Sequence, residues 1–148
     1  MEGVRRVARA VLKYFSPLMF IAILVQIFLA GEGIFGIKHV EKDLGDAKTL
    51  DPHRAFGYIL AEPVALLFLI FALLAWYPVQ KVRRVSILLP FLVFAQDPLS
   101  WGGRWSGAFH PLNAFLVLGL FGWLSGQLHR GQPASSGDRP EAAATVQT

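Results

Sequence analysis

The feature that most constrains this chain is an apolar stretch near its middle, residues 51–77, which reads DPHRAFGYILAEPVALLFLIFALLAWY. Asp51 and Pro52 are residue types that favour the start of a helix. After its first turn the stretch holds one ionisable residue, Glu62. A helix of this length crosses the roughly 30 Å hydrocarbon core of a bilayer. The stretch therefore predicts a membrane-spanning helix that carries His53 at one mouth.

Three further apolar blocks accompany this one, so that predicted spans lie at about residues 15–36, 52–77, 82–99 and 110–128. With 148 residues, 54% of them hydrophobic, a soluble domain has too little interior to hide four such blocks. The third span is the least regular, because Pro90 interrupts it. The predicted fold class is all-α, a polytopic membrane four-helix bundle over residues 15–130. A basic amphipathic flank, 1–14, precedes it on an anionic leaflet or only sets orientation, and a disordered cytoplasmic tail, 131–148, follows.

The distribution of positive charge predicts the orientation in the membrane. Cations gather on the N-terminal flank, the turn at 80–84 and the C-terminal flank, whereas the loops around 37–52 and 97–109 mix both signs. Both termini are therefore predicted to be cytoplasmic, in a multi-pass protein of the cell inner membrane. The net charge of +4 is explained by this sorting, so no nucleic-acid partner is predicted. The chain has no cysteine, which excludes disulfides and thiolate chemistry.

The first span ends in GEGIFG, where Gly31, Gly33 and Gly36 match the G-x-G-x-x-G pattern. A dinucleotide fingerprint follows a strand and opens a helix, whereas here a membrane helix is ending. Nucleotide binding is rejected for this reason, and hydrolytic chemistry has no support either. The glycines are interpreted as sites of close helix contact.

Two histidines form the candidate cofactor site. In the predicted topology the second and fourth helices both run inward and begin with His53 and His110, each after an acid, Glu32 or Asp97, and a loop. This shared plan suggests a tandem duplication of a helical hairpin. Histidines on two helices of a bundle can ligate haem iron axially, and without cysteine the haem is b-type.

Neighbouring residues extend this hypothesis. Small residues one turn further along, Gly57 and Ala114, leave room for a porphyrin edge. Cations on the outer side are candidates to pair with the propionates; these are Lys38, Arg54 and Arg104.

A structural interpretation of the histidines stays open beside the haem hypothesis. A histidine at a membrane interface can simply cap a helix or bind a loop, and Pro111 biases His110 away from helical geometry. With His39 included, three outward histidines would suit zinc or copper. His129, on the cytoplasmic flank, is predicted to be solvated.

Glu62 is the second feature that needs an explanation. It lies nine residues after His53, which places it on the opposite face of a straight helix. Ionisable groups inside a membrane usually face the bundle interior or water. Two interpretations stay open: a proton-accepting carboxyl group on a polar path with Gln26 and Asn113, or a protonated side chain hydrogen-bonded across helices.

The segments HRAFGYIL and FHPLNAFLVLGLFGWL resemble an uncharacterised bacterial family of small four-helix integral membrane proteins. They are also distantly similar to the His-ligated four-helix membrane cytochromes b. The second resemblance implies axial histidines at His53 and His110. His129 has no counterpart on the second helix, so at most one haem is implied.

Three functions follow from these observations. The first is a small membrane protein that binds one b-type haem near the outer face, for electron transfer or membrane anchoring. The second is a non-enzymatic membrane subunit or partner protein without cofactor, in contact with another membrane protein or a second copy. The third is a proton-coupled carrier that uses Glu62. None of them requires catalytic activity of the chain's own.

Overall fold

The computed structural model describes residues 1–37 and 47–130, and over these residues the chain is helical. The elements are α1 (Glu2–Phe35), a 3₁₀ turn (Lys48–Leu50), α2 (Asp51–Ile59), a π-segment (Leu60–Val64), α3 (Ala65–Ala75), α4 (Gln80–Phe94), α5 (Gln96–Trp101) and α6 (Gly103–His129). Lys38, His39 and the predicted tail lie outside the described residues.

Three of the helices are long and apolar enough to cross a membrane: α1, the continuous helix Lys48–Ala75, and α6. The all-α class and the membrane character are thereby confirmed. The third predicted span, 82–99, differs from the observed helix. Helix α4 has 15 residues and ends at Phe94, which gives it a length of about 22 Å. Pro98 lacks the N–H that would bind the carbonyl of Phe94, so the helix stops there and α5 begins as a separate turn.

The basic flank is the first part of α1 and not a separate helix. α1 begins at Glu2 and runs without a break for 34 residues. Ala8 and Leu12 on this part are buried against the bundle. At about 1.5 Å per residue, α1 is longer than a bilayer core is thick. The flank therefore continues the axis of the first span beyond the apolar region, where its arginines meet the polar interface.

The helices pack as an antiparallel bundle. α1 packs against α6 and α3, and α4 packs against the same two helices. α3 and α6 therefore lie on a diagonal, where the rings of Phe68 and Phe121 meet edge to face with centroids 5.3 Å apart. Tyr14 near the start of α1 lies 6.5 Å from His129 at the end of α6. Residues 1 and 130 are consequently at the same end of the bundle.

The outer surface of the bundle carries many large apolar side chains, unlike the surface of a soluble protein. Fully buried positions include the serines Ser16 and Ser86, beside small and aromatic residues. Large apolar side chains cover the outside, among them Leu18, Phe28, Leu66, Leu112 and Phe115. In a membrane, helices associate through close packing and interhelical hydrogen bonds, and the lipid solvates the outer apolar side chains. The distribution fits that environment.

The end of the bundle where α3 meets α4 is called the basic end. Arg9 of α1 donates from Nε to the carbonyl of Ala75 at 2.9 Å and from Nη2 to that of Trp76 at 3.2 Å. Trp76 ends α3 in the left-handed conformation with φ of 36°. Arg83 of α4 donates to the carbonyl of Tyr77 at 3.3 Å. These arginines satisfy carbonyls that a helix end leaves unpaired.

The two halves of the chain repeat one pattern of buried positions. Leu12, Ser16, Met19 and Ile23 of α1 have counterparts at one constant spacing in Val82, Ser86, Leu89 and Val93 of α4, all of them buried. The same spacing carries Gln26 to Gln96. The register of the repeat therefore passes through these glutamines and not through the acids Glu32 and Asp97.

Candidate histidine site

The end of the bundle opposite the basic end is called the histidine end, because His53 of α2 and His110 of α6 meet there. The centroids of the two imidazole rings are 6.2 Å apart and the ring planes are inclined by 78°. Both side chains are partly buried. The expected juxtaposition of the two imidazoles at one depth is present.

His110 reaches this position from inside a helix and not from its start. The fourth helix was expected to begin at His110, whereas α6 begins at Gly103 and continues through Pro111. The bias of a residue before proline away from helical geometry is a local preference. Packing of α5 against the first turns of α6 outweighs it, with Ser106 donating to the carbonyl of Leu99 at 3.0 Å.

Each imidazole is held by the main-chain carbonyl of a glutamine on another helix, Gln26 of α1 for His53 and Gln96 of α5 for His110. His53 Nδ1 lies 3.1 Å from the carbonyl oxygen of Gln26, and His110 Nδ1 lies 3.1 Å from that of Gln96. A carbonyl only accepts, so the contact with Gln26 favours a proton on His53 Nδ1 and leaves its Nε2 with a lone pair. Metal-ligating histidines are oriented in this way by their second nitrogen.

The side chains of the same two glutamines bind the histidine main chain. Gln26 Nε2 donates to the carbonyl of His53 at 2.8 Å. In the amide orientation that matches its neighbours, Gln96 donates to the carbonyl of His110 at 3.2 Å and accepts from the N–H of Ala114 at 3.0 Å. Its amide nitrogen also lies 2.9 Å from His110 Nδ1, so this ring has both an acceptor and a donor beside that atom.

The space beside Gly57 is used by the Gln26 side chain. A Cβ at Gly57 would lie 2.8 Å from Gln26 Nε2, so only glycine admits the amide in this position. The sequence predicted this space for a porphyrin edge, and the structure places an amide there. Ala114 is likewise next to Gln96 through its main-chain N–H.

The predicted propionate partners have different surroundings. Arg54 donates to Asp51 Oδ1 at 2.9 Å and to the carbonyl of Ala47 at 3.1 Å, so it supports the first turn of α2. Arg104 is exposed in the first turn of α6. Both lie at the histidine end of their helices.

The three intramembrane polar residues are not brought together. Glu62 is exposed on the π-segment, at the outer surface of the bundle. Asn113 donates to the carbonyl of Leu92 at 2.7 Å, and Gln26 binds His53. Glu62 therefore does not face the bundle interior, and it lies on the helix face opposite His53, as the nine-residue spacing requires. No polar path through these three side chains forms.

The site offers two nitrogen ligands. Among residues 1–37 and 47–130 there is no group of three or more His, Cys, Asp or Glu placed to hold a metal ion. The three-histidine alternative depends on His39, which lies outside the described residues. His129 is exposed, and its Nδ1 lies 2.9 Å from the carbonyl oxygen of Ser125, at the other end of α6.

Sequence reasoning missed Gln96 as a member of this site. The signal that would have found it is the constant spacing between α1 and α4, which pairs it with Gln26. The ionisable residue Asp97, one position later, is the one that the shared plan of the two halves pairs with Glu32. Comparisons with protein-family models, with curated proteins and with solved structures find no match to this chain.

Proposed function

We propose that this protein binds one b-type haem between His53 and His110 and serves in electron transfer or as a membrane anchor near the outer face. One observation carries the proposal: two imidazoles from diagonal helices meet 6.2 Å apart, and each has Nδ1 on a carbonyl. Two metal–nitrogen bonds of about 2.0–2.1 Å place the ring centroids of two ligands roughly 6 Å apart. The residues present fit a shared metal ion in this respect.

The number of ligands favours haem over a bare metal ion. A structural zinc ion takes four protein ligands, and a catalytic one takes three. The histidine site supplies two within the described residues. A haem iron would need only two protein ligands, which His53 and His110 would provide, and when bound it would supply one-electron redox chemistry. Arg104, exposed at the same end, is the better candidate for a propionate, because Arg54 already binds Asp51.

The chain's own residues hold the ligands and exclude water. The carbonyls of Gln26 and Gln96 restrain the two rings through Nδ1. At His53 this contact also favours a proton on Nδ1, which raises the basicity of Nε2. One to two turns further into the bundle, the buried side chains of Leu60 and Val117 close the site with apolar bulk.

We also propose that the protein lies in the cell inner membrane with both termini in the cytoplasm. The cations Lys81 and Arg83 lie at the basic end with Arg9, which supports this orientation. The histidine site then lies near the outer face.

The test is the visible spectrum of the protein purified from haem-sufficient cells, after reduction with dithionite. We expect a sharp α-band that disappears in His53→Ala and in His110→Ala. His129→Ala is the matched control, because this histidine lies at the other end of α6, and its spectrum should equal that of the wild type. A colourless wild-type protein, or an α-band that survives both substitutions, would refute the proposal.

A cofactor-free membrane subunit is the second proposal, and the exposure of Glu62 favours it. A carboxyl group on the lipid-facing surface is costly unless another chain covers it. Because the chain has no cysteine, a single cysteine at Leu66 reports whether two copies meet on this face. Disulfide-linked dimers from Leu66→Cys, but not from Leu112→Cys on α6, would support self-association. The proton-carrier hypothesis gains nothing from the structure, because Glu62 has no polar path.

A further inference from the structure

We infer that Gln26 and Gln96 are positioning residues that fix the two histidines as a pair of ligands. The inference rests on the proposed function and names the residues on which that site depends. Each glutamine contacts both the ring and the main chain of its histidine, through its own carbonyl to the ring and through its side-chain amide to the histidine carbonyl.

The reciprocal contacts restrain both the ring and the backbone of the histidine. The bond from Nδ1 restrains rotation of the imidazole, and the amide bond ties the helix that carries the histidine to the helix that carries the glutamine. For His53 the two distances are 3.1 and 2.8 Å. Both bonds start from one residue, so the ring and its helix keep the same depth relative to α1. With only one of these hydrogen bonds, either the ring could rotate or its helix could shift relative to the other helix.

The surroundings of Gln26 indicate that its amide serves the histidine and not the packing of the core. Gln26 Oε1 is buried without a hydrogen-bond partner in the described structure, while Nε2 is used on His53. A buried unpaired acceptor is unfavourable. Gly57 makes the approach possible, because a Cβ added at this position would clash with the amide. Gln26 Oε1 thus stays unpaired while Nε2 of the same amide donates to the His53 carbonyl.

The same unit occurs in both halves of the chain. Gln96 has the spacing to Gln26 that relates the buried core of α4 to that of α1, and His110 is its histidine. The two glutamine–histidine units meet across the bundle, with the centroids of their imidazole rings 6.2 Å apart. The two ligands of the proposed site are thus each held by an equivalent glutamine.

The experiment compares Gln26→Leu and Gln96→Leu with Asn113→Leu. The control loses an amide bond of the same kind, from α6 to the carbonyl of Leu92 in α4, without touching a histidine. The measurements are haem dissociation from the purified protein and thermal unfolding in detergent. Each glutamine variant should lose haem about 10–100-fold faster than the control, as expected for partners of metal-ligating histidines. Thermal unfolding should change equally in all three variants.

Equal haem loss in Asn113→Leu and the glutamine variants, or wild-type rates in the latter, would overturn the inference. If the wild type holds no haem, the proposed function fails separately. Imidazole ¹⁵N NMR of the cofactor-free protein then decides the positioning role. Narrow imidazole signals of His53 and His110 that broaden in Gln26→Leu and Gln96→Leu but not in Asn113→Leu support it, and unchanged signals refute it.

Discussion

At the residue scale, most polar side chains inside the bundle bind main-chain carbonyls of another helix. Gln26, Asn113 and Arg9 all donate to carbonyls on a neighbouring helix, at 2.7–2.9 Å. Helix carbonyls retain a free lone pair after the intrahelical bond, so such contacts connect two helices without breaking the hydrogen bonds within either helix. In an apolar environment they are among the few specific contacts available.

Arg9 is predicted to stabilise the basic end, because it binds the last carbonyls of α3. Arg9→Met removes a charge-assisted contact with a helix C-terminus while keeping an apolar chain of similar length. We expect the free energy of unfolding in mixed detergent micelles to fall by about 1–2 kcal/mol. Arg6→Met, at an exposed position of the same helix, is the control and should change it little. Equal losses in both variants would contradict the prediction.

Tyr77 gives a prediction on pH, and it lies in the turn after α3, outside the candidate spans. Burial raises the pKa of its hydroxyl from 10.0 to about 12, while the nearby Arg9 cation acts in the opposite direction. The folded protein then keeps a proton that the unfolded chain releases. Stability from this group is complete below about pH 10 and is lost as the pH rises towards 12. The difference in tyrosinate absorbance between wild type and Tyr77→Phe measures this titration, and a midpoint near 10 would contradict it.

At the element scale, the π-segment explains how the continuous helix Lys48–Ala75 keeps its buried residues on the inner face on both sides of an extra residue. The buried residues Leu60 and Ala65 are one residue further apart than their counterparts in α6, Val117 and Phe121. The π-segment, Leu60–Val64, absorbs the extra residue at Pro63, which has no N–H to bind the Ile59 carbonyl in a regular α-helix. His53 before it and Phe68 after it therefore both face the interior, and Glu62 faces outward.

Deletion of Pro63 should be tolerated. It restores the spacing found in α6, so that Leu60 and Ala65 stay buried in a regular α-helix. We expect thermal unfolding in detergent close to that of the wild type. Deletion of Gly119 is the control, because α6 has no extra residue and the change rotates Phe121 and Leu124 away from the core by about 100°. That variant should lose several kcal/mol, as when large core side chains are removed. Equal effects of the two deletions would refute the assignment of the extra residue.

At the scale of the whole molecule, two hairpins with the same core spacing form one bundle. The first hairpin supplies α1 to α3 and the second α4 to α6, with one glutamine–histidine unit in each. The hairpins differ at the π-segment and in the length of the first helix. α4 alone is shorter than a bilayer core, and the chain makes its contact with His110 through Gln96 at the start of α5.

The arrangement predicts that Ser100 and Arg130 lie on opposite sides of the membrane. Single cysteines introduced at these positions into the cysteine-free chain can be labelled with a membrane-impermeant maleimide. The cysteine at position 100 should react in intact cells, and the one at 130 only after permeabilisation. Labelling of both in intact cells would place the two ends of α6 on the same side of the membrane and contradict the prediction.

The sequence by itself determined the membrane class, three of the spans and the nomination of His53 and His110. Long apolar blocks and charge sorting are properties of composition, which do not depend on how helices pack. The tertiary structure decided the start of α6, the end of α4, the outward position of Glu62 and the role of Gln96. These depend on contacts between residues far apart in the chain and on a one-residue change of register, so that no local pattern encodes them. The carbonyls that hold the imidazoles belong to the main chain, and only packing determines which ones lie within reach.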